Sequence, residues 1–330
     1  MSPLVSVLMP VRNEAASVAR AVASVLQQTH QALEVLVVDA LSTDETRRIV
    51  EGIADPRVRL LHNPGISIPC GLNVGLRDAR GQFVARVDAH ARVNAEYLDL
   101  ALAHLAADPG LAAVGGRRLT DATTPVGRTI GLALSSPFGV GDSINHYATQ
   151  PQRTDHASFG VYRTDVARGV GGWDENLPAN EDVDFDFRIL EHGFGILYEP
   201  AMEIHWQVRE TLPDLAHQYQ RYGRGKGAMV RKNGPSAIRL RHLAPPALVA
   251  DLALAGLAAV TRHPRAALAL TAPYAALLAY ATASTRSAAR SADATLAAFP
   301  AALATMHLSW GIGFLEGLAG RAAALGSQRQ

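Results

Sequence analysis

Residues 1–115 switch repeatedly between two hydrophobic patterns. Val5–Met9, Glu34–Val38, Val58–Leu61 and Phe83–Val87 are short apolar runs, the first two ended by Pro10 and Asp39. Between them, Glu14–Gln28 places Ala15, Val18, Val22, Val25 and Leu26 on one side of a helix. Thr43–Ile53 reads as a second helix, with Ser42 or Thr43 as its N-cap and Asp44 and Glu45 in its first turn. Pro69–Ala79 and Ala95–Ala106 read as two more. Buried strands alternating with helices predict an α/β fold, a mostly parallel sheet flanked by helices. In such sheets ligands bind beyond the carboxyl ends of the strands. Pro10–Glu14, Asp39 and Asp88–His90 all follow strand ends and are expected on one face.

The pattern changes twice further on. Residues 116–210 are less regular and contain the acidic run Asn180-Glu181-Asp182-Val183-Asp184-Phe185-Asp186. Residues 221–242 hold seven Arg or Lys and no acid. Residues 245–320 are then rich in Ala and Leu and poor in charge, in three segments: Pro245–Thr261, Ala266–Ser284 and Thr295–Gly320. A membrane span needs roughly 20 apolar residues, and these segments are near or slightly below that length. They are read as membrane helices or re-entrant hairpins, with a soluble helical bundle as the competing reading. The loops Arg262-His263-Pro264-Arg265 and Thr285 to Asp293 are basic. The 221–242 segment would lie just cytosolic of the first membrane helix, where it would attract anionic head groups or an acceptor pyrophosphate.

Composition narrows the classes. A formal net charge of +1 argues against bulk nucleic-acid binding, so no nucleic-acid partner is expected. The single cysteine, Cys70, cannot form an internal disulfide, and a reducing compartment fits. Met1-Ser2-Pro3 runs into the first apolar segment without a basic n-region or a small-residue cleavage site. The expected location is the cytoplasmic membrane, with the N-terminal part folding in the cytosol.

The chemistry-bearing residues exclude two common nucleotide sites. Neither a GxGxxG fingerprint nor a GxxxxGK[ST] P-loop follows the first strand; Pro10-Val11-Arg12-Asn13-Glu14 stands there instead. The stretch Arg86-Val87-Asp88-Ala89-His90 ends a buried strand on an acid and a histidine two residues apart. Such a pair suits a divalent metal, and it also suits a solvated turn.

Taken together and in order, Pro10–Glu14, the stretch Asp39-Ala40-Leu41-Ser42-Thr43-Asp44-Glu45-Thr46, Asn73, Asp88-Ala89-His90 and Glu181-Asp182 resemble the family 2 glycosyltransferases, over roughly residues 4–225. Four stretches are similar to the bacterial exopolysaccharide branch with its succinoglycan-type glucosyltransferases. They are Arg86–His90, Ser135-Ser136-Pro137-Phe138-Gly139-Val140-Gly141, Gly171-Gly172-Trp173-Asp174-Glu175 and Gln218-Tyr219-Gln220-Arg221-Tyr222-Gly223.

The resemblance implies a GT-A fold, the nucleotide-diphospho-sugar transferase α/β fold, followed here by a hydrophobic helical region. It divides the chain into a transferase domain over 1–225, with a nucleotide-binding half at 1–115 and an acceptor half at 116–225. A basic juxtamembrane linker at 226–244 and a membrane-associated region at 245–330 follow. The resemblance places Pro10, Val11, Glu14 and Asn73 at the nucleotide pocket, Asp39 on the uracil ring, and Asp88 on the ribose and the metal. The family's second carboxylate is replaced by His90; a neutral imidazole ligates Mn, while Mg prefers oxygen. His205 is a possible third ligand. Asp182 is the implied general base and Glu181 supports it or orients the acceptor. Arg221, in an element resembling QxxRW with Tyr222 for Trp, would bind a diphosphate or acceptor sugar as a guanidinium fork. The departure from Trp argues for one sugar added per encounter.

The implied reaction is an inverting, metal-dependent transfer (Mn or Mg) from a nucleotide-diphosphate sugar, a UDP-sugar foremost. The acceptor would be a polyprenyl-diphosphate-linked saccharide or a cell-surface polysaccharide. Two alternatives are a sugar nucleotidyltransferase and a membrane-tethered binding protein with a decayed site. Among the other polar residues, Asp184 can pair with Arg188 at i,i+4, Asp186 reads as solvated or capping, and Trp173 either stacks on a sugar or is buried. His146, His156, His192 and His217 have no ligand spacing and are assigned no role.

Overall fold

The computed structural model describes residues 2–177 and 179–320. The chain forms two compact units. The first comprises residues 1–120, 144–176 and 181–207, the second residues 121–143, 177–180 and 208–330.

The elements run β1 (Val5–Val11), α1 (Val18–Leu26), β2 (Leu33–Asp39), α2 (Thr46–Glu51), β3 (Val58–His62), α3 (Ile68–Asp78), β4 (Phe83–Arg86), β5 (Ala91–Val93) and α4 (Tyr97–Ala107). Then come β6 (Leu111–Asp121), α5 (Pro125–Leu134), α6 (Pro137–Val140), β7 (Gln152–Arg153), β8 (Val161–Arg163), α7 (Thr164–Gly169), α8 (Glu181–Glu191) and β9 (Gly195–Gln207). The chain ends in helices: α9 (Leu212–Asn233), α10 (Ala244–Val260), α11 (Pro264–Ser284), α12 (Arg286–Ser291) and α13 (Phe299–Leu318).

The nine strands form one sheet in the order β3-β2-β1-β4-β8-β6-β9-β5, with β7 on β9. β3, β2, β1 and β4 are parallel, while β8, and the pairs of β9 with β5 and β7, are antiparallel. The expected mostly parallel half is present, and the irregular stretch after residue 115 supplies the antiparallel half.

Successive side chains of a strand face opposite sides of the sheet, and two cores follow from this. Val5, Val7 and Met9 of β1 join Val35 and Val37 of β2 under α1 and α4. Leu8, Leu36 and Val84 face the other way and pack with Leu72 of α3 and Phe185 of α8. With both faces covered, β2 is buried from Leu33 to Asp39, as a near-continuous apolar run requires.

Several boundaries differ from the sequence reading: the first helix starts at Val18, not Glu14, and ends at Leu26. Pro10 does not end β1, which continues to Val11. Pairing with β4 stops at Leu8, so Pro10, with no N–H to give, stands beyond the two-sided part of the ladder. The second helix starts at Thr46, not near Thr43, because Ser42 and Thr43 are engaged with Asn13, as described below, while Asp44 Oδ1 accepts from the Thr46 N–H at 3.0 Å.

In the second unit, α9 and α13 pack at backbone distance. Gly223 and Gly227 of α9, and Gly313 and Gly317 of α13, each face a backbone carbonyl of the other helix that an added Cβ would meet at 2.1–2.4 Å. Four-residue spacing puts each pair on one helix face, so the two helices share a seam that no larger residue fits. The two charged or imidazole side chains of α13 are also satisfied. Glu316 accepts from Gln220 Nε2 at 3.1 Å and Arg224 Nε at 2.5 Å. His307 lies 2.8 Å from the Phe138 carbonyl and 3.0 Å from the Tyr274 hydroxyl.

Three helical segments, Leu240–Val260, Pro264–Ser284 and Leu296–Leu318, are long and apolar enough to cross a membrane. The first two are only 11% and 6% buried, the third 39%. Leu254, Leu257, Val260, Leu268 and Tyr280 are exposed.

Candidate active site

Parallel pairing brings the ends of β1 and β2 level, with Val11 opposite Asp39. The loops that follow are laced together. Asn13, in a left-handed conformation at φ 56°, donates its N–H to Ser42 Oγ at 2.9 Å and accepts from the Thr43 N–H through Oδ1 at 2.8 Å. The Glu14 N–H reaches Thr46 Oγ1 at 2.7 Å, and the Ala15 N–H reaches Asp44 Oδ2 at 3.1 Å. The predicted N-cap residues therefore tie two loops together instead of capping a helix. Asp39 is buried at the base of this joint and accepts from the Ser42 N–H at 3.3 Å.

β4 ends at Arg86, and the chain turns through Val87–His90, with the Ala91 N–H on the Asp88 carbonyl at 2.9 Å. Arg86 is the centre of the site. Its Nε and Nη2 fork onto the two Asp88 oxygens at 2.8 and 3.2 Å. Its Nη1 reaches Glu181 Oε1 at 3.0 Å and stands 3.9 Å from Asp182 Oδ2. One guanidinium thus joins the acid that ends β4 to the two acids that open α8.

The three carboxyls respond differently. Burial raises the Asp88 pKa, but the Arg86 charge and hydrogen bonds, with His90 and Arg118, outweigh it and hold it below its usual value. Burial and the Asp182 charge keep Glu181 above its usual value against the pull of Arg86. For Asp182 the burial penalty is outweighed by His156, Arg86, the Val183 N–H and Arg118, and its pKa is lowered. The Asp182 side chain is 33% exposed, against 11% for Glu181, so Asp182 is the more accessible of the two.

His90 is exposed, and its Nδ1 lies 3.1 Å from Glu14 Oε1. His205 sits on β9 opposite Arg92 of β5. Among the described residues no group of three or more His, Cys, Asp or Glu side chains is placed to hold a metal. Asp88 and His90 stand two residues apart beyond the end of β4, with both Asp88 oxygens on Arg86; a carboxylate with an imidazole suits Mn better than Mg, which prefers oxygen.

Asn73 faces the loop before α8. Its Oδ1 accepts from the Trp173 N–H at 2.9 Å, and its Nδ2 donates to the Trp173 carbonyl and to Glu175 Oε1, both at 2.8 Å. Trp173 is a core residue, stacked on Phe185 at 4.3 Å, so its ring face is not open to a sugar. In the second unit, Arg221 is exposed on α9 with its guanidinium 5.8 Å from the Tyr222 ring centre. Four of the seven basic residues of 221–242 have internal places: Arg224 on Glu316, Arg231 on the Gly317 carbonyl, Arg241 on Asp142, and Lys226 buried. α9 runs through Asn233 and so occupies the first part of the stretch read as a linker.

Sequence reasoning missed Arg86, Arg118, His156 and Asp186. Arg118 on β6 stacks over the Trp206 ring at 4.3 Å. Asp186 is fully buried, not solvated. A signal existed: Asp182 and Asp186 stand four apart in a helix and share a face.

Three comparisons bear on this arrangement. Residues 6–171 match the family described as Glycosyl transferase family 2. The succinoglycan biosynthesis protein ExoA of Rhizobium meliloti is 29% identical over 230 residues, 68% of this chain and 69% of that protein. The pre-mycofactocin glycosyltransferase of Mycobacterium tuberculosis is 31% identical over 66% of this chain; the match spans 46% of that longer protein. Among solved structures, the mannosyltransferase PcManGT from Pyrobaculum calidifontis, in complex with GDP-Man and Mn2+, superposes with a TM-score of 0.60 at 21% identity. That likeness covers 98% of this chain and 89% of the other. It establishes the GT-A fold.

Proposed function

The chain belongs to glycosyl transferase family 2, and from that premise we propose an inverting, metal-assisted transfer of a sugar from a nucleotide diphosphate, UDP foremost. The observation that carries this reading is the Arg86 fork, which sets Asp88 and the Glu181-Asp182 pair in one cluster at the carboxyl ends of the strands. Asp39 would accept from the base, as its buried position at the end of β2 suits. Pro10, Val11 and Glu14 would line the nucleotide pocket, and Asn73 would act through the loop it holds. Asp88 and His90 would hold the cation, which when bound neutralises the diphosphate. Mn2+ in the archaeal mannosyltransferase complex is in keeping with this. His205, on β9, would be a third ligand.

In the transfer step an acceptor hydroxyl oxygen forms a bond to the anomeric carbon. The bond from that carbon to the diphosphate oxygen breaks, its electron pair leaves with the nucleotide, and the hydroxyl proton passes to Asp182. Glu181, tied to Arg86 and little exposed, would orient rather than abstract. Asp182 is a weak base with its lowered pKa, but it is ionised and open at neutral pH. Arg221 would hold acceptor phosphate or sugar.

The acceptor proposed is a polyprenyl-diphosphate-linked saccharide or a cell-surface polysaccharide. The likeness to the succinoglycan biosynthesis protein ExoA supports that class, as do the exposed apolar helices. They would place the enzyme on the cytoplasmic membrane with the first unit in the cytosol. The test is nucleotide release by detergent-purified protein over a panel of nucleotide sugars with Mn2+. Release from one donor, abolished by chelation and reduced roughly 10²–10⁴-fold by Asp182→Asn, is expected. Full activity in a folded Asp182→Asn protein would remove the base assignment.

A further inference from the structure

A buried polar cluster beside Asp182 lies outside the mechanism above. Asp186, one turn further along α8, is fully buried. Its Oδ2 accepts from the Ala157 N–H at 2.8 Å and stands 2.7 Å from His156 Nδ1; its Oδ1 accepts from the Tyr162 hydroxyl at 3.0 Å. With Asp186 ionised, Oδ2 can only accept, so Nδ1 of His156 carries the proton and donates. The His156 backbone is fixed as well, its carbonyl accepting from Asn145 Nδ2 at 3.1 Å. The second ring nitrogen, Nε2, is thereby set 3.9 Å from Asp182 Oδ2.

We propose that His156, held by Asp186, is a positioning residue for the transfer: its Nε2 faces Asp182 and fixes the orientation and charge of the carboxylate that takes the acceptor proton. The inference rests on Asp182 being the base. At 3.9 Å the contact is too long for a hydrogen bond and becomes an ion pair when the imidazole is protonated. Catalytic hydrogen bonds are commonly long until substrate is bound. Burial lowers the His156 pKa, but the Asp186 hydrogen bond and the charges of Asp182, Asp186 and Asp155 raise it above its usual value. The other groups in reach are His146, whose own pKa burial, Arg118 and His156 lower, and Tyr162, which shares Asp186. Around Asp182 stand His156, Arg86, Arg118 and Glu181. A positive His156 therefore favours ionised Asp182. Without it the Asp182 pKa rises, and the acidic limb of the kcat profile, below which the base is protonated, moves to higher pH.

The test compares wild-type, His156→Gln and Asp186→Asn protein in detergent with the turned-over donor. Expected for His156→Gln are a kcat lowered roughly 10- to 100-fold, a donor KM within about twofold of wild type, and an acidic limb raised by about one pH unit. Asp186→Asn keeps an acceptor for Ala157 but removes the charge behind the imidazole, so its limb is expected to move the same way. Thermal melts establish that both variants fold. An unmoved limb in both folded variants, or an unchanged kcat, overturns the inference. Asp182→Asn in the same series separates the two claims. If it stays active the base assignment itself fails, and if it is dead while the limbs are unmoved only the role of His156 fails.

Discussion

At the scale of single residues, the site depends on one buried cation among acids. Arg86 and its partner Asp88 expose 11% and 16% of their side chains. Removing one member of a buried ion-pair network leaves uncompensated charge and typically costs about 3–5 kcal/mol. Arg86→Met should therefore lose about 3 kcal/mol or more of unfolding free energy in a denaturant titration, together with all transfer activity. An equally stable Arg86→Met protein would show that the guanidinium is not what joins β4 to α8. The acids of this network were legible in the sequence because each closes or opens an element in a recognisable order. Arg86 was in view too, in Arg86-Val87-Asp88-Ala89-His90, but only as the end of a strand. Whether its side chain crosses to α8, 95 positions away, is set by the packing of the sheet. Asp186 and His156 stayed hidden for a similar reason. Polarity alone predicts exposure, and it is the tertiary partners His156, Ala157 and Tyr162 that make full burial of the Asp186 carboxylate tolerable.

At the scale of elements, the parallel half of the sheet was readable from unbroken apolar runs, and the antiparallel half was not. β6 ends in Arg117–Asp121, and β9 alternates Glu203 and His205 with buried Met202, Ile204 and Trp206. Partly exposed strands of mixed polarity give a weaker periodic signal than buried ones. The α9–α13 seam was invisible for another reason: glycine is commonly read as a helix breaker, whereas here its missing Cβ lets two backbones approach. Gly223→Leu should be destabilising by about 1–3 kcal/mol or more, since the Trp310 carbonyl lies 2.1 Å from its first added atom. Gly256→Leu on α10, where nothing lies within 4 Å, is the control and should melt with the wild type. Equal melting of both variants in detergent would rule out the seam.

At the scale of the whole molecule, the first unit carries the sheet and the Arg86 cluster, and the second carries the apolar helices. Composition announced the second clearly, since Ala- and Leu-rich segments of this length are rare in water. It left open which helix packs inward; the glycine seam and the Glu316 contacts with Gln220 and Arg224 distinguish the third segment from the first two. The central claim is a single displacement in which one open carboxylate takes the acceptor proton. Its most direct test is the anomeric configuration of the product, read by proton NMR after transfer from an α-linked nucleotide sugar. A β-linked product is predicted, formed by wild-type protein and not by Asp182→Asn. An α-linked product would contradict the account, because retention requires a different course at the anomeric carbon.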